Sequence, residues 1–205
     1  MRSRAALPRL HAITDERIAR RPELPDLVCQ LTAGGPELAF HARGHTLSGR
    51  EHYELAVRLS VSPTVRLFVN DRLDIALAAS AAGVQLTRSS LPPGDARRLD
   101  PSWWIGVSVH DLREAQAARA AAADYLLVGP VFPTPTHPDR APLDPAELRE
   151  IVGLGLPVIA VGGVAPGRVQ DLRQRGVYGV AAIRALWDAA DPPLAARRLL
   201  EELTN

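Results

Sequence analysis

The chain reads as a closed (β/α)8 barrel, on three observations. Short apolar runs rich in β-branched residues alternate with segments of helical spacing from end to end, and eight such runs occur in the 205 residues. Several are apolar on both faces, as in Val158 to Val161, which suits parallel strands covered by helices rather than an antiparallel sheet with one wet side. Eight units of about 26 residues leave room only for short loops, which places the chain near the small end of such barrels. The runner-up, an open Rossmann-type sheet, lacks its signature. No Gly-x-Gly-x-x-Gly follows the first run, which instead reads Leu10-His11-Ala12-Ile13-Thr14-Asp15.

The eight strands are predicted, in order, at Leu10 to Thr14, Leu38 to Ala42, Val65 to Asn70, Val84 to Leu86, Trp104 to Val109, Tyr125 to Val128, Pro157 to Val161 and Gly179 to Ile183. Helical spacing marks Gly49 to Ser60, Asp71 to Ala81, Leu112 to Ala122, Pro145 to Gly153, Pro166 to Arg175 and Pro193 to Leu203. No repeat, low-complexity segment or linker interrupts the pattern, so residues 1–205 are expected to form a single barrel domain. The proline-rich stretch Pro130 to Pro145 reads as one long βα loop.

Composition excludes several partners. Twenty-four basic residues against 23 acidic leave a net charge of +1, too little for nucleic acid or anionic lipid to be the main ligand. No stretch approaches the roughly 18 consecutive apolar residues of a membrane span, and no secretory signal opens the chain, so a cytoplasmic location is expected. Monomer and homo-oligomer both stay open. Cys29 has no intramolecular partner and is expected to pack in a helix as a small hydrophobe. All 24 basic residues are arginine, which removes Schiff-base chemistry and leaves anions to meet guanidinium, imidazole or backbone N–H groups.

A barrel carries its site on the loops that follow the C-terminal ends of its strands. By that rule, Gly162 and Gly163 after the seventh strand, with Ile183 and Arg184 after the eighth, form a candidate phosphate site; the alternative is a tight turn with Arg184 paired to a carboxylate. His41, Arg43 and His45 alternate, so they point toward one mouth, where imidazoles can move protons near neutral pH; the alternative is a satisfied core histidine and a solvated one. Asn70 closes the third strand, and Asp71 is either a helix cap or a ligand. Ser108 and His110 end the fifth strand. Thr134, Thr136 and His137 stand on the stiff loop Gly129 to Pro138, an anion clamp or a plain connector.

Leu-His-Ala-Ile-Thr-Asp (10 to 15), Asn-Asp-Arg-Leu-Asp-Ile-Ala-Leu (70 to 77), Gly-Val-Gln-Leu (83 to 86), Ile-Gly-Val-Ser-Val-His (105 to 110), Ala-Asp-Tyr-Leu-Leu-Val-Gly-Pro-Val-Phe-Pro-Thr (123 to 134) and Val-Ile-Ala-Val-Gly-Gly-Val (158 to 164) together resemble the thiamine phosphate synthase and TenI family. The likeness is ordered and covers nearly the whole chain. It implies a (β/α)8 barrel of thiamine biosynthesis acting on a small phosphorylated thiazole. The synthase of this family joins hydroxymethylpyrimidine diphosphate to thiazole phosphate with Mg²⁺, releasing pyrophosphate, whereas some TenI proteins tautomerise a thiazole carboxylate phosphate without a metal.

The resemblance places the synthase pattern Gln-Leu-Arg-Glu-Lys on His41 to His45, so Arg43 is kept and the lysine becomes His45. It makes Asp71 the first Mg²⁺ ligand, beside Asn70, and puts Ser90 where the synthase has its second. It assigns Ser108 to pyrophosphate, turns a Thr-x-Thr-Lys clamp into Thr134, Thr136 and His137, and assigns the thiazole phosphate to Gly162, Gly163 and Ile183, with Arg184 in place of a serine. A TenI tautomerase carries a catalytic histidine where this chain has Pro130, so His41, His110 or His137 would have to serve as the base. The sequence favours a cofactor-free tautomerase; a divergent Mg²⁺-dependent synthase and a non-catalytic phosphate-ligand sensor are the alternatives.

Overall fold

The computed structural model describes residues 5–134 and 140–204. Eight parallel strands close into a barrel: β1 (Leu10–Ile13), β2 (Leu38–Ala42), β3 (Arg66–Asn70), β4 (Gly83–Leu86), β5 (Trp104–Val109), β6 (Tyr125–Val128), β7 (Val158–Val161) and β8 (Gly179–Ala182). Each pairs with the next, and Leu10 opposite Val180 closes the ring. Among the described residues the helices are α1 (Glu16–Ala19), α2 (Leu24–Thr32), α3 (Gly49–Leu59), α4 (Leu73–Ala78), α5 (Pro93–Leu99), α6 (Leu112–Ala120), α7 (Pro145–Val152), α8 (Val169–Gln174), α9 (Arg184–Trp187) and α10 (Pro192–Thr204). None is long and apolar enough to cross a membrane.

Side chains alternate across each strand, so the barrel has two cores. Leu10, Phe40, Leu67, Val84, Ile105, Leu126, Val158 and Val180 point outward and bury against the helices. Ala39, Phe68, Tyr125, Leu127, Ile159 and Ala181 point inward and fill the barrel. His11, His41 and Gln85 share that interior and are fully buried, which requires each to find hydrogen-bond partners there.

Local sequence fixes most helix starts. Ser48 and Glu51 form a reciprocal capping box at α3, Asp111 accepts the Glu114 N–H at α6, and Asp144 accepts the Ala146 N–H ahead of Pro145 at α7. Three expectations change. The helix expected from Asp71 begins at Leu73, because Asp71 takes φ +61, a left-handed conformation that no helix can continue through. The one expected from Pro166 begins at Val169, after Gly167 at φ +85. Cys29 does lie in a helix, α2, but on its exposed side; Leu24, Val28 and Leu31 supply the packed face.

Candidate functional site

A cavity of about 500 Å³ opens at the C-terminal ends of the strands. Its floor is apolar, from Ile13, Leu127, Val161 and Ala181 of the inward-facing layer. Its rim carries most of the residues singled out from the sequence: Arg43, His45, Asn70, Ser108, His110, Thr134, Gly162, Gly163, Ile183 and Arg184 all line it. Thr136 and His137 lie outside the described residues.

One end of this cavity is built from backbone. Gly162 and Gly163 take φ +95 and +66, a region costly for any residue with a side chain. A Cβ on Gly162 would stand 2.6 Å from Pro130 Cβ, and one on Gly163 2.6 Å from the Pro133 carbonyl oxygen. The glycines therefore let the loop after β6 lie flat on the turn after β7, where the Val131 N–H donates to the Val161 carbonyl (2.9 Å) and the Phe132 N–H to that of Gly162 (3.1 Å). Beside them, the opening turn of α9 leaves N–H groups without partners inside the helix, and the Arg184 side chain lines the cavity with no carboxylate at salt-bridge distance among the described residues.

The other end is built from side chains. Arg43 donates to His45 Nε2 across a short contact, so that ring carries its own proton on Nδ1. Burial pulls the Arg43 guanidinium below its usual range, opposed by Glu16, Asp15 and Asp71. Asp71 is not the helix cap. The cap position of α4 is Arg72, without a capping bond, and Asp71 turns back so that its Oδ1 accepts the Thr87 N–H (3.2 Å), the Thr87 hydroxyl (2.8 Å) and, at short range, the Ser90 hydroxyl. Ser108 Oγ accepts from Gln85 Nε2 at 3.0 Å, which leaves the serine hydrogen to donate elsewhere.

The histidines separate. His41 is fully buried below the floor and does not line the cavity; its ring stacks on Phe68 and reaches the site only through Asn70. Its nearness to the mouth, expected from alternation with Arg43 and His45, holds in direction but not in depth, because β2 carries it one layer further into the barrel. His110 is exposed on the cavity wall, and its Nδ1–H donates to the Gly129 carbonyl at 2.7 Å, which fixes the ring with its Nε2 edge unused by that bond.

The structure adds cavity residues that the sequence did not single out, Arg140 and Ala185 among them. For Arg140 a signal existed, since it is the one arginine between Pro130 and Pro145, on the loop already read as an anion clamp. Ala185, three residues beyond the end of β8, carried no distinguishing pattern.

An apolar floor rimmed by Arg43, Arg140 and Arg184, at the C-terminal face of a closed parallel barrel, defines a (β/α)8 protein with its cavity where such barrels bind small ligands. The chain belongs to the thiamine monophosphate synthase family, whose model matches residues 10–186. It is 40% identical over 207 residues to the thiamine-phosphate synthase of Salinispora tropica, covering 98% of this chain and 99% of that one. It is 38% identical over 200 residues to that of Methanoculleus marisnigri, covering 95% and 94%. Among solved structures, a thiamine phosphate pyrophosphorylase from Pyrococcus furiosus superposes with a TM-score of 0.83 at 33% identity, covering 96% of this chain and 95% of that one. The family is one of thiamine biosynthesis. These relatives bear the name of the synthase, so the balance between the expected reactions moves from the tautomerase to the transferase.

Proposed function

We propose that this chain is a thiamine-phosphate synthase, joining a hydroxymethylpyrimidine diphosphate to a thiazole phosphate with release of pyrophosphate. What supports this reading is the family match over residues 10–186 and relatives that bear the synthase name, together with one cavity that carries an arginine at each of two ends over an apolar floor. A transferase that joins a diphosphate to a phosphate needs both ends, whereas a tautomerase of a carboxylated thiazole phosphate needs one end for phosphate and only a carboxylate contact at the other. Arg140 bears on the lysines absent at positions 45 and 137, since it adds a fixed positive charge to the diphosphate end that the imidazoles do not supply.

The reaction breaks the bond between the pyrimidine methylene carbon and the diphosphate oxygen, and the electron pair leaves with the diphosphate. The thiazole nitrogen then forms the new C–N bond to that carbon. Arg43 and Arg140 meet the negative charge as it grows on the departing oxygen, and the Ser108 hydroxyl, held by Gln85, donates to it. Ile13, Leu127, Val161 and Ala181 keep water from the electron-poor carbon. Gly162, Gly163, Ile183 and Arg184 hold the thiazole phosphate and so fix the nucleophile.

The resemblance implies Mg²⁺. No group of three or more His, Cys, Asp or Glu able to hold a metal occurs among the described residues, and Ser90 hydrogen-bonds Asp71 where a second carboxylate would stand. Asp71 Oδ2 is not engaged by those bonds, and Mg²⁺ is commonly held by one carboxylate, waters and substrate phosphate oxygens, so the residues fit an ion carried in with the diphosphate. Asp71 would hold it, and it would offset charge on the leaving group.

The second reading, thiazole tautomerisation, is favoured by one observation, the His110 ring on the cavity wall, oriented through Nδ1 by the Gly129 carbonyl, a geometry that suits proton transfer at Nε2. Incubation of purified protein with hydroxymethylpyrimidine diphosphate and thiazole phosphate, with and without Mg²⁺, separates the two. Thiamine phosphate formed only with Mg²⁺ is expected. No product from folded protein, with turnover of the carboxylated thiazole that His110→Gln abolishes, would replace the synthase by the tautomerase.

A further inference from the structure

A column of polar groups runs through the barrel interior beneath the site. The Pro8 carbonyl lies 2.9 Å from His11 Nε2, His11 Nδ1 lies 2.8 Å from His41 Nε2, and His41 Nδ1 lies 3.2 Å from the Asn70 side-chain amide, which lines the cavity. Both rings are fully buried, Phe68 packing against both and Tyr125 against His11, and among the described residues no carboxylate bonds to either.

The order of donors along this column is forced from its lower end. A carbonyl can only accept, so His11 Nε2 carries a hydrogen. A neutral His11 then has a bare Nδ1, which must accept, so His41 donates from Nε2. A neutral His41 in turn has a bare Nδ1, and its partner on Asn70 must be a donor. With Asn70 Oδ1 at that point two lone pairs would face each other. The amide's two ends are nearly the same in shape, so it turns its NH2 to His41 and its carbonyl to the cavity. Burial supports neutrality, holding His11 down to about 4 and His41 well below its usual range; an unpaired cation here would be very costly.

We propose that His11 and His41 are positioning residues that lock Asn70 with its carbonyl toward the ligand, so that this part of the site recognises a neutral N–H or O–H donor on the pyrimidine substrate and not a phosphate oxygen. The proposal deepens the synthase reading, on which its kinetic test rests; its structural test does not depend on turnover. The ligand-binding contribution of Asn70 is thereby set by a carbonyl two layers deeper, at Pro8, which no ligand touches.

The structural test is nitrogen NMR of histidine-labelled, ligand-free protein at neutral pH. Both His11 and His41 are expected as neutral rings protonated at Nε2. A His41 protonated at Nδ1, or either ring as imidazolium, would overturn the proposal whether or not the protein makes product. The kinetic test compares His41→Leu with His41→Gln. Glutamine keeps an N–H end for His11 and a carbonyl end for the Asn70 NH2, so it preserves the donor order; leucine ends it.

His41→Leu is expected to raise KM for the pyrimidine diphosphate about tenfold with a smaller change in kcat, and to leave inhibition by pyrophosphate unchanged. His41→Gln is expected to restore KM to within about threefold of the starting protein. His11→Phe, which keeps a ring against Phe68, serves if the leucine variant does not fold, and is expected to give a mixed His41 tautomer with the same rise in KM. Equal KM loss in His41→Gln and His41→Leu, or a parallel loss of pyrophosphate inhibition, would show that Asn70 does not present an acceptor under the control of this column.

Discussion

The two ends of the cavity are made differently. At the β7 and β8 end, the groups that face the ligand are backbone N–H groups and one arginine, and the requirement on sequence is steric: two glycines at positive φ, each too close to the overlying loop to bear a Cβ. At the β2 to β5 end, the lining groups are side chains held by others, Asn70 by His41 and Ser108 by Gln85, and Asp71, which does not itself line the cavity, is tied to the lining residue Thr87 and to Ser90. The first end is the more constrained and the second the more open to replacement. Of the departures from the synthase pattern that the chain resembles, those at positions 41, 45 and 90 fall on the side-chain end, while the glycine pair is kept and the other end departs at Arg184.

The comparison can be broken most sharply at Asp71. Asp71→Asn keeps Oδ1 as an acceptor for Thr87 and Ser90, so melting should hardly move, while Mg²⁺-dependent product formation should fall about a hundredfold or more. A loss of only a few-fold would take Asp71 out of the reaction. Next in size is the other end. Arg184→Ala should raise KM for thiazole phosphate some tenfold to hundredfold, the worth of a charge-assisted hydrogen bond, and leave KM for the diphosphate nearly unchanged. Equal changes in both constants would mean that the two ends are not separate sites.

Arg140→Ala sharpens the same division from the opposite side. It should raise KM for the diphosphate about tenfold and spare the thiazole phosphate, whereas no effect would leave Arg43 as the cation that matters there.

The smallest effect concerns the column under the floor. His11 titrates near 6.5 in an unfolded chain and near 4 in this fold, where burial outweighs the favourable Pro8 carbonyl. Below pH 6.5 the unfolded chain therefore takes up a proton that the folded one refuses. Stability is intact above 6.5 and falls as pH drops toward 4, by about 3 kcal/mol from this ring, and His41 acts in the same direction. Denaturant unfolding at pH 7 and pH 4.5 measures it. A slope that persists unchanged in His11→Phe would assign the pH dependence to other groups.

Much of the architecture was legible because the fold repeats one local pattern. Apolar runs such as Tyr125 to Val128 and Trp104 to Val109 match β6 and β5 to the residue, since strands buried on both faces leave an uninterrupted apolar signal. Where that signal fades, prediction fails for a stated cause. Helix α5 buries only Ala96 and shows no apolar period, and α9 is a single turn. The left-handed residue at Asp71 shortened α4, and nothing in the segment Asn70-Asp71-Arg72 announced it.

By itself, then, the sequence determined the alternation of strand and helix, the glycine pair that admits a crossing loop, and most residues of the cavity rim, because each follows from periodicity or from a residue type with one conformational use. Only the tertiary structure decided the rest. It withdrew His41 from the cavity, brought Ser90 and Thr87 onto Asp71 and Arg140 to the mouth, and stacked Pro8, His11, His41 and Asn70 into one column. Most of those contacts join residues 16 to 30 positions apart, and the others depend on depth along the barrel axis; closure of the barrel is what sets both.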